Sequence, residues 1–465
     1  MKKITVLGGG PSGLAAAWQL VRLKQGQIAL YEKGETIGGI CGYHLLNGYR
    51  LDYGPHKIYS VLPGIMDEFR ELGKDRLREV KRKHRIVIRR RLLDYPVKLG
   101  QLLALFSLPE LVSFGVSLLE TMIKQPFRHT PVSYEDYCVK VFGTKVYEVV
   151  FKPLAKKIWG DPLKLSADLA MTRIPTKSIY DIIFKLLGLK KESKDADADI
   201  VLYPHRGFYD ICECMKEKIE SGGGRVHLRR RPVKLIHNGR AIRSIVLDNG
   251  DEVRTDLLVS SIPVRELTAL LFPEDSIQDD DLIRMRHSIV VYIIVNKSRV
   301  LDDHWIFCTD TDEDIIFSRI SEQKLFSDVG LPKESTILSC DFTCDEGDPI
   351  WREDDTVIAG RCIKGLEKIG IISGKDVAGH GVARIPHFYP VYDIGYKERI
   401  DKLFEKINQI ENIICTGRLG LFNYNNIDHC LDMGIFLAKE VAGGKRPPDV
   451  NRGLLSKSKS YRIID

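Results

Sequence analysis

The stretch VLGGGPSGLAAA, residues 6 to 17, constrains the fold of this chain more than any other. It follows the β-branched run ITVLG and opens GLAAAWQLVRL, which reads as helix, and IALYE then supplies a second strand. Strand, glycine turn, helix and strand make a βαβ unit, the context that separates a dinucleotide-binding turn from a chance run of glycines. Gly8 and Gly10 let backbone N–H groups approach a pyrophosphate, and Gly13 lets helix and strand pack closely. Pro11 and Ser12 open the helix, whose N-terminus favours negative charge. Glu32 falls nineteen residues after Gly13, at the end of the second strand, where a carboxylate accepts hydrogen bonds from ribose hydroxyls, and Lys33 follows it.

The next segment, EKGETIGGICGYH, adds Gly38 and Gly39 and implies a second close backbone approach. A loop of that kind beside a bound cofactor favours FAD over NAD. Residues 50 to 60, RLDYGPHKIYS, then carry the chain through a Gly54–Pro55 turn to His56, the strongest single candidate to sit beside the cofactor's reactive ring and tune it.

A length of 465 residues exceeds what one core usually organises, so two or three domains are expected, with room for a large ligand between them. The composition, 44% hydrophobic and 29% charged, is that of a folded protein rather than a disordered or fibrous one. Ten scattered cysteines form no CxxC pair and no metal-ligand spacing, so reduced thiols, no metal and a cytoplasmic location are expected. The opening MKKITVLGGG is too short in apolar residues for a signal peptide and leads straight into the glycine turn.

A net charge of +7 is mild for this length and does not demand nucleic acid. The most basic stretch, KRKHRIVIRRRLLDYP, has seven Lys or Arg between residues 81 and 91, yet its alternation reads as two strands with Arg89 and Arg90 at the turn. No aromatic residues interleave to stack bases. LLALFSLPELVSFGVSLLETMI, residues 102 to 123, is long enough to span a bilayer, but Pro109, Glu110 and Glu120 interrupt it. Two packed helices are the preferred reading, with shallow insertion into a membrane surface the alternative. Residues 98 to 190 read as mostly helical and 190 to 199 as a polar linker, and strand alternation returns at 240 to 263 around the Asn249–Gly250 turn and at 288 to 296.

LYEKGETIGG, RLDYGPHKIYS and LLDYPVKL resemble the amine oxidase and protoporphyrinogen oxidase superfamily of FAD proteins, and especially its UDP-galactopyranose mutase branch. Residues 142–175, HFYPVYD at 387–393 and GRLGLFNYNNIDHCLDMGIFLA at 417–438 extend the resemblance over most of the chain. It implies an α/β fold: a discontinuous Rossmann-like FAD domain over 1–80, 198–265 and 385–445, a mostly helical cap over 81–197 and a β-rich substrate domain over 266–384. Residues 446–465 are left as a tail.

For the site, the resemblance implies Arg418, Asn426 and His429 at the cofactor, beside the glycines, Glu32, Lys33 and His56. Catalytic candidates are His56, Trp159, Arg173, Arg286 and Tyr389, with Lys177 and Arg384 as further cations. The mutase branch implies redox-neutral attack of reduced flavin on a nucleotide-linked sugar, with cations on the diphosphate leaving group. Lys177 stands where bacterial mutases tend to carry Arg, and a point charge does not reproduce a bidentate grip. The alternative is a net oxidation of an amine, porphyrinogen or polyene, with electrons passing to oxygen or a quinone. Either way the partners are a small-molecule substrate and an external reductant or electron acceptor, and the oligomeric state is left open.

Overall fold

The computed structural model describes residues 1–95, 97–124, 130–174, 200–274 and 283–463. At its centre is a five-stranded parallel sheet in the order Ile413–Cys415, Leu257–Ser260, Lys3–Leu7, Gln27–Tyr31, Arg225–His227. A parallel sheet is covered on both faces, so its strands read as apolar runs; Val6, Leu7, Leu30, Leu258, Val259 and Ile414 are wholly buried. The helix Pro11–Arg22 lies against this sheet, and the helix Ile427–Ala442 crosses it closely. Gly434 permits that approach, because a Cβ there would meet the Ala15 backbone at 2.7 Å.

A second sheet of seven strands runs in the order Val377–Pro390, Met285–Val295, Thr336–Cys344, Arg319–Glu322, Trp305–Cys308, His84–Ile88, Arg91–Asp94. Its strand Met285–Val295 shows why an eleven-residue apolar run forms sheet. Ile289, Val291 and Ile293 enter one core, while Val290 and Tyr292 enter another together with Leu51. Leu51 thereby ties the strand Tyr49–Asp52, and the turn after it, to the back of this sheet.

The basic hairpin forms as the alternation predicts, with Arg89 and Arg90 both at positive φ in the turn. Its two strands, inside the segment expected to be helical, extend the seven-stranded sheet through parallel pairing with Trp305–Cys308. Helices do follow: Leu99–Leu105, Leu108–Lys124, Tyr134–Phe142, Lys152–Ile158 and Ala167–Arg173. The long apolar run is thus broken into two helices, but the second is not packed as expected, since one of its apolar faces lies outward. Residues 447–460, read as a tail, form a helix with Val450 and Leu454 buried, and Asn451 Oδ1 accepts a hydrogen bond from the Cys415 N–H. All ten cysteines are free and buried.

Candidate active site

One cavity of about 880 Å³ runs from the glycine turn to the seven-stranded sheet. At its first end the three glycines do different work. Gly13 is a packing residue, because a Cβ there would lie 2.0 Å from the Gly8 carbonyl oxygen. Gly8 holds φ at +98° against Ser261. Gly10 alone has open space where its Cβ would be, on the cavity wall, and caps the helix with no side-chain bond to the first N–H groups. That is a cradle for an anion approached by backbone.

Glu32 lines the same end. Its carboxylate accepts from the Gly9 N–H at 2.6 Å and the Gly34 N–H at 2.7 Å, which fixes its position and leaves lone pairs for a ribose. Lys33 pairs with Glu266 at 3.6 Å on the cavity rim. The second glycine pair approaches the first loop more than the cavity: Gly38 N–H donates to the Gly9 carbonyl, and a Cβ on Gly39 would stand 3.2 Å from Gly10 Cα.

Midway, Asp52 anchors RLDYGPHKIYS. It accepts from Tyr203 Oη at 2.5 Å and the Phe208 N–H at 2.9 Å, while its own carbonyl accepts from Tyr292 Oη. Burial raises its carboxyl to about 7, against the lowering effect of those two donors. Gly54 turns at φ +82°, tight against the Arg319–Asp341 pair, and delivers His56 to the cavity wall. The His56 ring stacks on Phe208 at 4.9 Å. Nδ1 lies 3.0 Å from the Gly54 carbonyl, an acceptor, which assigns the proton to Nδ1 and leaves Nε2 as an acceptor. Burial, then the Arg319 charge, lowers this imidazole to about 3, so it is neutral at physiological pH.

At the far end Arg173, the last residue of its helix, lines the cavity between two rings, 5.8 Å from Trp159 and 5.9 Å from Tyr424. Trp159 is buried behind it rather than on the wall, and Trp159 Nε1 and Tyr424 Oη are buried with no hydrogen-bond partner. Tyr389 lines the wall, stacked on Tyr424 at 5.5 Å and under Arg418 at 5.4 Å. Asn425 Oδ1 on the same wall is also buried without a partner.

Three expected site residues are employed elsewhere. Arg286 is 5% exposed and does not line the cavity; its guanidinium bonds Thr343 Oγ1, the Thr343 carbonyl and Asp345. Arg384 reaches the wall, but its guanidinium is held by Asp355 and the carbonyls of Trp351 and Glu353. His429 is behind the wall, where Nδ1 accepts the Asn426 N–H and the ring stacks on Tyr461 at 4.2 Å; it shapes the helix start that puts Asn426 on the cavity. Arg418 does line the cavity, and its Nε and Nη2 donate to the Asn425 carbonyl. Lys177 lies outside the described residues.

Lys57, Phe208, Arg230, Arg231, Trp305, Phe307 and Arg319 also line the cavity and were not singled out from sequence. Lys57 and Phe208 sit in segments rich in turn residues; Trp305 and Phe307 are neighbours on one strand face, a period-two signal with nothing to mark it as a wall.

Residues 6–72 match the NAD(P)-binding Rossmann-like domain family. The chain is 25% identical over 353 residues to the 15-cis-phytoene desaturase of Solanum lycopersicum, covering 71% of this chain and 57% of that one. It is 22% identical to the coproporphyrinogen III oxidase of Bacillus subtilis, covering 93% of this chain and 96% of that one. The carotenoid desaturases it resembles are matched over only 15 to 57% of their length. Reduced UDP-galactopyranose mutase superposes with a TM-score of 0.82 at 20% identity, covering 98% of both chains. The chain has a Rossmann-like α/β fold, as its motifs implied, and shares the fold of that mutase over nearly its whole length.

Proposed function

We propose that this protein binds FAD along the cavity and rearranges a nucleotide-linked sugar in the manner of a UDP-galactopyranose mutase. The residues present fit the cofactor: Gly10 leaves room for a diphosphate at an uncapped helix start, Glu32 offers lone pairs to a ribose, and Asn425 holds a buried acceptor without a partner on the opposite wall. Reduced FAD bound there would supply a nucleophilic nitrogen to the anomeric carbon of the sugar.

The rest is done by side chains. His56, neutral and with Nε2 free of its proton, accepts a hydrogen bond near the ring without adding positive charge. Arg173 is a fixed cation whose planar fork pairs with two diphosphate oxygens as charge develops on the leaving group. The observation that carries the reading is the position of Arg173, a cation on the wall at the end of the cavity away from the glycine turn, held over the Trp159 and Tyr424 rings. A diphosphate offers that cation a pair of oxygens; a polyene offers none.

The test is turnover of UDP-galactopyranose by dithionite-reduced and by oxidised protein, followed by chromatography of the sugar nucleotides. Turnover confined to the reduced protein supports the mutase reading; equal turnover when oxidised, or none in either state, removes it. A second reading, oxidation of a carboxylate-bearing porphyrinogen, is favoured by the near full-length similarity to a coproporphyrinogen III oxidase and by Phe208, Trp305 and Phe307 on the wall. Oxygen consumption on coproporphyrinogen III, in place of mutase turnover, selects it.

A further inference from the structure

The strand Val377–Pro390 bulges where it borders the cavity. Ile385 pairs with Ser288 and Tyr389 with Arg286, so three residues, Pro386 to Phe388, stand opposite the single residue His287. Extra residues on one strand re-aim a side chain that regular pairing would alternate into one face of the sheet or the other. His387, in the middle of the bulge, holds φ at +54°, a region uncommon for any residue but glycine. Buried His287 fixes that turn: its Nδ1 accepts the His387 N–H at 3.0 Å, with the two rings 5.5 Å apart. A bulge, a left-handed residue and a histidine placed to receive its N–H together aim one imidazole.

Two neighbouring segments set what it faces. Ser261 abuts the glycine turn, where a Cβ on Gly8 would stand 2.5 Å from its Oγ, and a Cβ on Gly417 would stand 2.2 Å from Ser12 Oγ at the helix start. Two residues on from each, Pro263 and Leu419 join His387 in the walls of both the main cavity and a smaller one of about 270 Å³ beside it. His387 is thus a partition, with the glycine end on one side. The charged groups around it come in pairs. Lys33 meets Glu266 at 3.6 Å on the main cavity, and Arg265 meets Glu346 at 3.8 Å and Arg284 meets Asp345 at 3.1 Å on the smaller one. Burial lowers the His387 imidazole below its ordinary range, with Glu266 and Glu346 acting to raise it and Lys33 and Arg265 to lower it, and His287 behind it is lowered as well. Both rings are therefore neutral near pH 7 while no anion lies beside them. A diphosphate brings negative charge to this face, and an opposite charge favours the protonated form.

With FAD along the cavity, the half of the proposed function on which this rests, we propose that His387 is a second hold on the cofactor diphosphate, opposite the glycine turn. It takes up a proton from solvent as FAD binds, and the imidazolium pairs with a phosphate oxygen. The smaller cavity, whose charged walls are partly exposed, gives that proton its way in. The chain then holds its cofactor more tightly in acid than in alkali.

The test is dilution of the flavin-loaded full chain at pH values from about 6 to about 8.5, across the histidine range, with released FAD read by its fluorescence. The wild-type Kd should fall as the pH falls, by at most about tenfold per pH unit, the limit for one proton taken up. His387→Asn keeps a residue that adopts positive φ and keeps the N–H that bonds His287, so it should fold with an unchanged melting temperature and bind FAD at every pH as weakly as wild type does in alkali. His387→Lys carries its charge throughout and should bind tightly with no dependence on pH over this range. A wild-type Kd that does not vary with pH, or a variation that His387→Asn leaves unchanged, overturns the proposal. A chain that binds no FAD at any pH removes the cofactor reading along with it, and that outcome is distinct from FAD binding indifferent to His387.

Discussion

The two ends of the cavity are built from different materials. The glycine end is backbone: three glycines, an uncapped helix start and one carboxylate, nearly all within residues 8–34. The Arg173 end is side chains from four separated segments, with Trp159, Arg173, Tyr389 and the 418–426 loop meeting only in three dimensions. A backbone site tolerates any side chain that stays out of its way and fails when a Cβ intrudes. A side-chain site fails one functional group at a time, with the fold left standing.

The sharpest break in that comparison lies within the glycine turn itself. Gly13→Val should prevent folding, since its Cβ would meet backbone at 2.0 Å and overpacking of this kind costs about 3 kcal/mol or more, read as loss of soluble protein. Gly10→Val, with open space for its side chain, should fold with a near-normal melting temperature and lose the flavin absorbance band near roughly 450 nm, the cavity being filled where the diphosphate belongs. At the other end, Arg173→Ala should keep full flavin content and lose about 10²–10³ in kcat of the reduced protein. Arg286→Met sharpens the contrast from the opposite side. It removes one of the two arginines paired with half-buried Asp345, Arg284 being the other, and two hydrogen bonds to Thr343, so the melting temperature should fall by an amount equivalent to about 1–3 kcal/mol, while flavin content and turnover per folded molecule hold.

The smallest effect concerns pH. His56 is lowered to about 3 in the folded protein, so below the ordinary histidine range the unfolded chain binds the extra proton and stability falls on acidification. Asp52 is raised to about 7, so between the ordinary carboxylate range and pH 7 the folded protein binds the extra proton and stability falls as pH rises. Between pH 4.5 and 6.5, roughly, the two oppose one another. Asp52→Asn should therefore show stability declining as pH falls through that window, and His56→Gln the reverse, each at up to about 1.4 kcal/mol per pH unit in urea titrations.

The glycine end was legible because its determinants are local: spacing along the chain fixes spacing in space when a strand, a turn and a helix intervene. The function of each glycine was less so. Gly10 and Gly13 differ only in what faces them, Gly8 being the neighbour of one and the empty cavity that of the other. The placement of the cations is not local. Arg286 looks the same in sequence as Arg173, and what holds it off the cavity is Asp345, 59 residues further on, paired across the seven-stranded sheet. His429 lies off the cavity wall for a related reason, since a helix-start histidine that accepts its own cap's N–H is indistinguishable in sequence from one that faces a ligand. His56 reached the cavity wall as expected, but the tie that puts it there, Asp52 to Tyr203 and Phe208, spans more than 150 residues.

The measurement that bears most directly on the two-ended site is the melting temperature of dithionite-reduced protein with and without UDP, for wild type and Arg173→Ala. A ligand that binds only the folded protein stabilises it by about 2.7 kcal/mol at a hundred times its Kd, a shift that is easily read. The expected result is a rise for wild type that Arg173→Ala abolishes with flavin still bound. A wild-type protein indifferent to UDP, or a rise that survives in Arg173→Ala, would contradict the assignment of that end of the cavity to a nucleotide diphosphate.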